Sequence, residues 1–107
     1  MRLIKAIIRP EKSGDVIGAL FSAGFSAVTK MDVTGCGEQR GVRVGSVLYN
    51  ELPKDLLYIA CEDHDQDTIV RIIMDSARTG EGEHGDGRIF VSEIEEAYTI
   101  STGEKGL

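Results

Sequence analysis

Hydrophobic and polar residues alternate at the start of the chain. In the segment Leu3–Ile8, the side chains of Ile4, Ala6 and Ile8 fall on one side, and the other side is also mostly apolar. Alternation over six residues predicts a strand. Because both of its faces are largely apolar, we expect this strand to lie in the centre of a sheet.

The spacing of apolar residues then changes to that of a helix. Val16, Ile17 and Leu20 form one stripe, Pro10 suits the first turn because no N–H is needed there, and Gly24 suits a left-handed helix end. The predicted elements after the first strand are a helix over Glu11–Ala23, strands over Phe25–Val33 and Leu56–Cys61, a helix over about Asp65–Arg78, and a strand from Arg88 to Ile100.

The order of these elements is strand, helix, strand, strand, helix, strand. It predicts an α+β fold of the ferredoxin-like, split βαβ type, with a four-stranded antiparallel sheet and two helices on one face. The 107 residues are enough for one domain and too few for two independent cores. We therefore treat residues 1–107 as a single domain, which association with other subunits would stabilise further.

One connection is much longer than this fold requires. The segment Gly35–Pro53 has 19 residues, whereas a hairpin needs only about 2 to 5. Long loops in small domains are commonly functional, so we interpret this one as a mobile signalling loop. Its middle, Val42–Tyr49, alternates weakly and has the pattern of residues that can pair as strands.

Composition and charge narrow the class of protein. The formal net charge is -6, and the basic residues form no cluster, so we expect no nucleic-acid partner. The sequence has no apolar run long enough to cross a membrane and no signal peptide, which favours the cytoplasm. His64 and His84 lie in acidic or glycine-rich segments without a nucleophile pattern, so we do not expect an enzyme.

Two glycine clusters are the best candidates for a binding site. Gly35–Gly41 follows the second strand directly, and Gly80–Arg88 joins the second helix to the last strand. Successive glycines let backbone N–H groups point at an anion, and Arg88 adds positive charge. The acidic run Glu62–Asp67 is better explained as the start of a helix than as a metal site.

Several motifs resemble the PII (GlnB/GlnK-like) nitrogen-regulatory signal-transduction proteins, and they occur in the family's order along essentially the whole chain. The long loop and the tail are most like those of the nitrogen-fixation-specific subgroup. The motifs are Ala6-Ile7-Ile8-Arg9-Pro10, Gly35-x-Gly37-x-Gln39-x-Gly41, Leu52-Pro53-Lys54, Thr79-Gly80, Gly85-Asp86-Gly87-Arg88-Ile89-Phe90-Val91 and Thr102-Gly103-Glu104.

This resemblance implies a homotrimer, or a mixed oligomer with a paralogue, that binds ATP or ADP between subunits. It also implies binding of 2-oxoglutarate with Mg²⁺-ATP at the base of the long loop, and a protein target, possibly nitrogenase. By position, Gln39 would be the magnesium ligand and Lys54 would reach the phosphates or 2-oxoglutarate. The residues lining the nucleotide cleft would be Ile7, Thr29, Gly35, Gly37, Gly85, Asp86, Gly87 and Arg88, with residues 80–87 as the nucleotide loop and 99–107 as a C-terminal segment.

Three positions depart from the family's usual pattern and keep an alternative open. Glu38 stands where an arginine is usual, and Thr99 and Ser101 stand where a basic pair is usual. A member of this fold that has lost or altered ATP and 2-oxoglutarate binding and acts only as an interaction module is therefore the second hypothesis. An acylphosphatase-like enzyme is the third, and Asn50, in the loop, is the only asparagine it could use.

Overall fold

The computed structural model describes residues 1–36, 42–44, 47–49 and 51–107, and for 42–44 and 47–49 it describes only the strands. Short 3-10 turns at Pro10–Lys12 and Asp63–Asp65 precede the two helices. The elements in chain order are β1 (Arg2–Ile8), α1 (Ser13–Ser22), β2 (Thr29–Cys36), β3 (Val42–Val44), β4 (Val47–Tyr49), β5 (Glu51–Cys61), α2 (Gln66–Ala77) and β6 (Gly87–Glu93).

Four strands form one antiparallel sheet in the order β2-β5-β1-β6. β1 therefore lies between two neighbours, as its apolar faces predicted. The sheet and the two helices confirm the predicted ferredoxin-like fold, since the strand order is that of a split βαβ unit.

Both described helices pack on one face of this sheet. Alternate residues of β1 and β5 point at them, and the apolar stripes of α1 and α2 complete the layer. Fully buried side chains at the centre of this core include Ile4, Ile8, Val16, Leu20, Leu57, Ile69 and Ile73. Each contributes roughly 1.5–3 kcal/mol on burial, so this face supplies most of the hydrophobic stabilisation of the chain.

The opposite face, which we call the open face, carries the other alternate residues of the strands. Lys5 on β1 pairs with Tyr58 on β5 and with Phe90 on β6, so these three side chains share one row of the open face. The Lys5 Nζ atom lies 5.5 Å from the centre of the Tyr58 ring. Phe90 is exposed, and so is Met31 on β2.

The predicted start of the second strand is wrong. Residues from Phe25 belong to the turn that ends α1, since the Phe25 N–H donates to the Leu20 carbonyl at 2.9 Å and Gly24 has φ 95°. Phe25 packs against the core from this turn, so its apolar character reflects burial without strand pairing. β2 begins only at Thr29.

The predicted length of the last strand is also wrong. β6 ends at Glu93, which pairs with Arg2, and the Ile94 N–H makes one further bond, 3.0 Å long, to the Met1 carbonyl. β1 itself begins at Arg2, so the pairing of β1 with β6 ends at Glu93. The chain instead turns back on itself with a bridge between Tyr98 and Lys105, and Ile100 is fully exposed at the turn.

The boundaries predicted for the long loop shift inwards at both ends. Gly35 pairs with Leu52 and Cys36 with Glu51, so both ends of the predicted segment belong to β2 and β5. Pro53 is tolerated within β5 because β1 pairs with β5 only as far as Asp55. The weak alternation at 42–49 does correspond to a pair of strands, β3 and β4.

Within the described part of the chain, no helix is both long enough and apolar enough to cross a bilayer.

Candidate functional site

The end of the sheet at the carboxyl end of β1 brings together three charged residues from separate segments. Ile8 pairs with Asp55 on β5 and with Gly87 on β6. Continuing the antiparallel register by one residue sets Arg9 opposite both Lys54 and Asp86. The sheet therefore places a lysine, an arginine and an aspartate in one row, at the end that leads into residues 37–50.

Asp86 organises the glycine-rich loop between α2 and β6. Its Oδ2 atom accepts the backbone N–H groups of Thr79 at 3.1 Å and Glu83 at 2.8 Å. Its Oδ1 atom accepts Arg9 Nε at 3.1 Å. Both carboxylate oxygens thus bond within the protein, so Asp86 holds the loop in shape and is poorly placed to meet a ligand directly.

These bonds also fix the charge of Asp86. Burial alone raises the pKa of a carboxyl group, but the N–H groups of Glu83 and Thr79, together with Arg9, outweigh it. They hold the pKa of Asp86 well below its ordinary value of 3.8. The carboxylate is therefore charged throughout the neutral range.

Lys54 joins β5 to the same loop. Its Nζ atom donates to the Gly85 carbonyl at 2.6 Å, and the residue is only 8% exposed. Burial lowers the pKa of Lys54 below its ordinary value of 10.5, and Arg9 lowers it further, while Glu11 and Asp86 act in the opposite direction. A buried ammonium group beside a guanidinium group is favourable for an anionic ligand, which would offset both charges.

Gly87 lets the loop approach β1 very closely. Its φ is +113°, and a Cβ atom at this position would lie 1.7 Å from the Ile7 carbonyl oxygen. No other residue type fits there without moving the backbone. The predicted site residues Ile7 and Gly87 are therefore in direct backbone contact, and Arg88 follows on the open face opposite Ile7, with its side chain exposed.

Gly35 lies on the other side of Lys54. A Cβ atom on Gly35 would come within 3.0 Å of Lys54 Cγ, so the glycine makes room for the lysine stem. Gly85, Asp86 and Gly87 are thus brought together with Lys54 and Gly35. These predicted site residues therefore lie in one cluster.

Thr29 is not part of that cluster within one chain. It is exposed and pairs with Tyr58, six positions along β2 from Gly35, which corresponds to roughly 20 Å. Thr29 instead lines a cavity of about 660 Å³ on the open face together with Thr99 of the C-terminal segment. The predicted residues therefore fall into two separate places.

Two predicted site residues, Gly37 and Gln39, lie outside the described residues, as does Glu38. The assignment of Gln39 as a magnesium ligand stays a prediction.

Arg9 is the residue that the sequence reasoning did not assign to the site. Its side chain is only 15% exposed, and besides Asp86 it donates from Nη2 to the His84 carbonyl at 2.8 Å. The signal available in the sequence was its position. A charged residue that directly follows a central strand and precedes a proline stays extended, and so continues the strand to the sheet edge.

Comparisons with known proteins agree over the whole chain. The sequence model of the family "Nitrogen regulatory protein P-II" matches residues 1–104. The chain is 49% identical over 107 residues to the "Nitrogen fixation nifHD region GlnB-like protein 1" of Methanothermobacter marburgensis, and the match covers 100% of both chains. It is 43% identical over 110 residues to the "Nitrogen regulatory protein P-II 2" of Methanothermobacter thermautotrophicus, covering 99% of this chain and 94% of that protein.

Proposed function

Since the chain belongs to the P-II family of nitrogen regulatory proteins, we propose that it senses adenine nucleotide and 2-oxoglutarate and controls a protein target of nitrogen metabolism. The family is regulatory and not enzymatic, and so is this chain. The relatives from nifHD regions suggest a role in nitrogen fixation, with nitrogenase as the target to test first. We expect it to act in the cytoplasm.

The observation that carries this proposal is the contact between Lys54 and the glycine-rich loop. The Lys54 Nζ atom donates to the Gly85 carbonyl at 2.6 Å, and Lys54 lies on β5 two positions from Leu52, which pairs with Gly35 on β2. Both strands lead directly into residues 37–50. An anion that binds at the glycine-rich loop would therefore act on the base of that segment through a single side chain.

The ligand would be held mainly by backbone and by positive charge. The N–H groups around Gly85 and Gly87 suit phosphate oxygens, and Lys54 and Arg88 supply charge. Mg²⁺ bound with ATP would bring 2-oxoglutarate to the same place, with Gln39 as the predicted protein ligand. Binding would favour one arrangement of residues 37–50 over others, and the difference in affinity between these arrangements would be the signal.

Association between subunits fits the separation of the predicted residues. Thr29 and Thr99 line a cavity on the open face that is distant from Gly85 and Lys54 in the same chain. In a homotrimer, or a mixed oligomer with a paralogue, the cavity of one subunit would face the glycine-rich loop of the next. The nucleotide would then lie between subunits.

Calorimetric titration of the purified protein tests this function. ATP and ADP are each titrated with and without Mg²⁺ and 2-oxoglutarate. We expect both nucleotides to bind, and 2-oxoglutarate to bind only in the presence of Mg²⁺-ATP. Absence of heat with either nucleotide, from protein of correct fold and oligomeric state, would contradict the sensor function.

Lys54→Met is the variant that tests the role of Lys54. Methionine keeps an unbranched apolar stem against Gly35 and removes the charge. Loss of one charge-assisted hydrogen bond corresponds to about 1.5–3 kcal/mol, or roughly tenfold or more in affinity. Arg71→Ala, which removes a positive charge from the exposed side of α2, is the control and should bind as the unchanged protein does.

The second candidate is a PII-fold interaction module that no longer responds to these ligands. One observation favours it: Lys54 already has a partner within the protein, the Gly85 carbonyl. An incoming phosphate would have to compete with this bond. Target capture that is identical with ATP, with ADP and without nucleotide would support the module, whereas nucleotide-dependent capture would support the sensor.

A further inference from the structure

We propose that Arg9 is the positioning residue of the nucleotide loop: together with Asp86 it holds residues 79–87 in the conformation that accepts the nucleotide, without contacting the nucleotide itself. This inference rests on the proposed function. It goes beyond the proposed function by naming a residue that sets the affinity for nucleotide without contacting the nucleotide.

The backbone around Arg9 is fixed before any ligand arrives. Arg9 has φ -65° and ψ 135°, the extended conformation that a following proline imposes, and its carbonyl accepts the Lys12 N–H at 3.0 Å. Arg9 therefore continues β1 by one residue in the strand direction, and its side chain leaves from a rigid support at the end of the central strand.

The guanidinium group makes two hydrogen bonds that lie on different parts of the loop. Nε donates to Asp86 Oδ1 at 3.1 Å, and Nη2 donates to the His84 carbonyl at 2.8 Å. Nη2 also lies 3.8 Å from Glu83 Oε2. A planar fork can reach two acceptors in this way, which a single ammonium group cannot do with the same geometry.

Asp86 transmits this restraint to the beginning of the loop. Its second oxygen accepts the N–H groups of Thr79 and Glu83, so one carboxylate joins both halves of the loop to β1 through Arg9. The side chains of Arg9 and Asp86 are only 15% and 18% exposed, so solvent screens this pair far less than an ordinary surface ion pair.

Both ends of the loop are then held independently of any ligand. Gly87 is in close contact with the Ile7 carbonyl at one end, and Asp86 holds Thr79 at the other. Without Arg9, the loop would keep its bonds to Asp86 and the Lys54 bond to the Gly85 carbonyl, but the connection of Asp86 and the His84 carbonyl to β1 would be lost. If the loop then spends about one tenth of its time in the competent conformation, the apparent affinity falls about tenfold, whichever ligand is bound.

The test is a calorimetric titration of four variants with ADP and with Mg²⁺-ATP at one ionic strength: Arg9→Met, Arg9→Lys, Asp86→Asn and the double variant Arg9→Met/Asp86→Asn. We expect Arg9→Met to weaken the binding of ADP and of Mg²⁺-ATP by the same factor, about tenfold. Arg9→Lys should fall between Arg9→Met and the unchanged protein. The double variant should bind no more weakly than the weaker single variant, because the pair acts as one unit.

Three results would overturn the proposal. A clearly larger loss of affinity for Mg²⁺-ATP than for ADP would mean that Arg9 contacts the terminal phosphate. Additive losses in the double variant would mean that Arg9 and Asp86 act separately. Unchanged affinity in Arg9→Met would mean that the loop needs no brace.

Amide hydrogen exchange without ligand separates this inference from the proposed function. In Arg9→Met, the amides of Thr79 and Glu83 should exchange faster while those of β1 and α2 keep their rates. Equal rates at Thr79 and Glu83 in both proteins would contradict the brace even if no nucleotide binds. Faster exchange there in a protein that binds no nucleotide would retain the brace and reject only the sensor.

Discussion

At the scale of single residues, Gly82 and Gly87 have nearly the same positive φ angle in very different surroundings. Their φ angles are +117° and +113°, but a Cβ atom on Gly82 would meet only Arg78 Cδ at 4.0 Å, whereas one on Gly87 would lie 1.7 Å from the Ile7 carbonyl oxygen. Comparing substitutions at these two positions therefore separates the free-energy cost of a positive φ from the cost of a steric clash.

We expect Gly82→Ala to lower the free energy of unfolding by about 1–2 kcal/mol, the cost of a left-handed conformation for a residue with a Cβ atom. Gly87→Ala should cost clearly more, about 3–4 kcal/mol or above, because β6 must also move away from β1. Urea unfolding of both variants measures the difference. Equal losses would show that β6 can shift from β1 freely.

Asp86 predicts a dependence of stability on pH. Because its pKa is lower in the folded protein than its ordinary value of 3.8, its contribution to stability is complete above about pH 4 and is lost as the pH falls further. Asp86→Asn should therefore lower the free energy of unfolding at pH 7 by about 2 kcal/mol and flatten the fall in stability below about pH 4.

Urea unfolding at several pH values between neutral and the most acidic pH at which the protein stays folded measures this dependence. Asp75→Asn, which removes a carboxylate from the exposed side of α2, controls for the loss of one negative charge. A fall in stability with the same slope in Asp86→Asn and in the unchanged protein would contradict the assignment.

At the scale of elements, α2 shows how far the spacing of apolar residues can be trusted. Ile72 and Ile73 are consecutive apolar residues in this helix, and spacing alone would turn both towards the core. Ile73 is 1% exposed, whereas Ile72 only packs against the edge of the core. Consecutive helix positions lie about 100° apart, so two neighbours cannot both face the centre of the sheet.

This difference predicts unequal costs for the same substitution. Ile73→Ala should lower the free energy of unfolding by about 3 kcal/mol, since it leaves a cavity in a layer that cannot close around it. Ile72→Ala should cost roughly half as much or less, because its neighbours and solvent can fill the space. Thermal or urea unfolding of the two variants makes the comparison, and a larger loss for Ile72→Ala would reverse the assigned orientation of α2.

At the scale of the whole molecule, the open face of the sheet exposes large apolar side chains to solvent. It carries Phe90, which is 49% exposed, next to Lys5 and Tyr58. Apolar residues grouped on one face of a small sheet are typical of a surface that is buried between subunits. We therefore assign the proposed trimer contact to this face.

Phe90→Asp should convert the oligomer to monomers, because the apolar contact of the ring is lost and burying a carboxylate, even beside Lys5, costs several kcal/mol at each copy of the interface. Phe21→Asp is the matched control, since Phe21 is 68% exposed on α1, on the other side of the molecule. Light scattering after size-exclusion chromatography measures the mass of each variant. A Phe90→Asp protein that keeps the oligomeric mass would place the contact elsewhere.

Much of the architecture was predictable because it depends on local patterns. The alternation at Ile4, Ala6 and Ile8 and the stripe of Val16 and Leu20 identified the core face and the fold, and the family motifs identified the relatives. The errors fell at the ends of strands. Phe25 and Ile100 have the right residue type for a strand, but whether a strand continues depends on a neighbour that is distant in the sequence.

The sequence by itself thus determined the layers of this protein, its central strand and the two glycine-rich segments, because periodicity and glycine content act over a few residues. Only the tertiary structure decided where β6 stops, since that depends on where β1 begins. It also decided that Arg9 meets Asp86, 77 residues away, and that Thr29 is separated from Gly35. These relations follow from strand register, which couples distant residues through backbone hydrogen bonds and is not encoded at any single position.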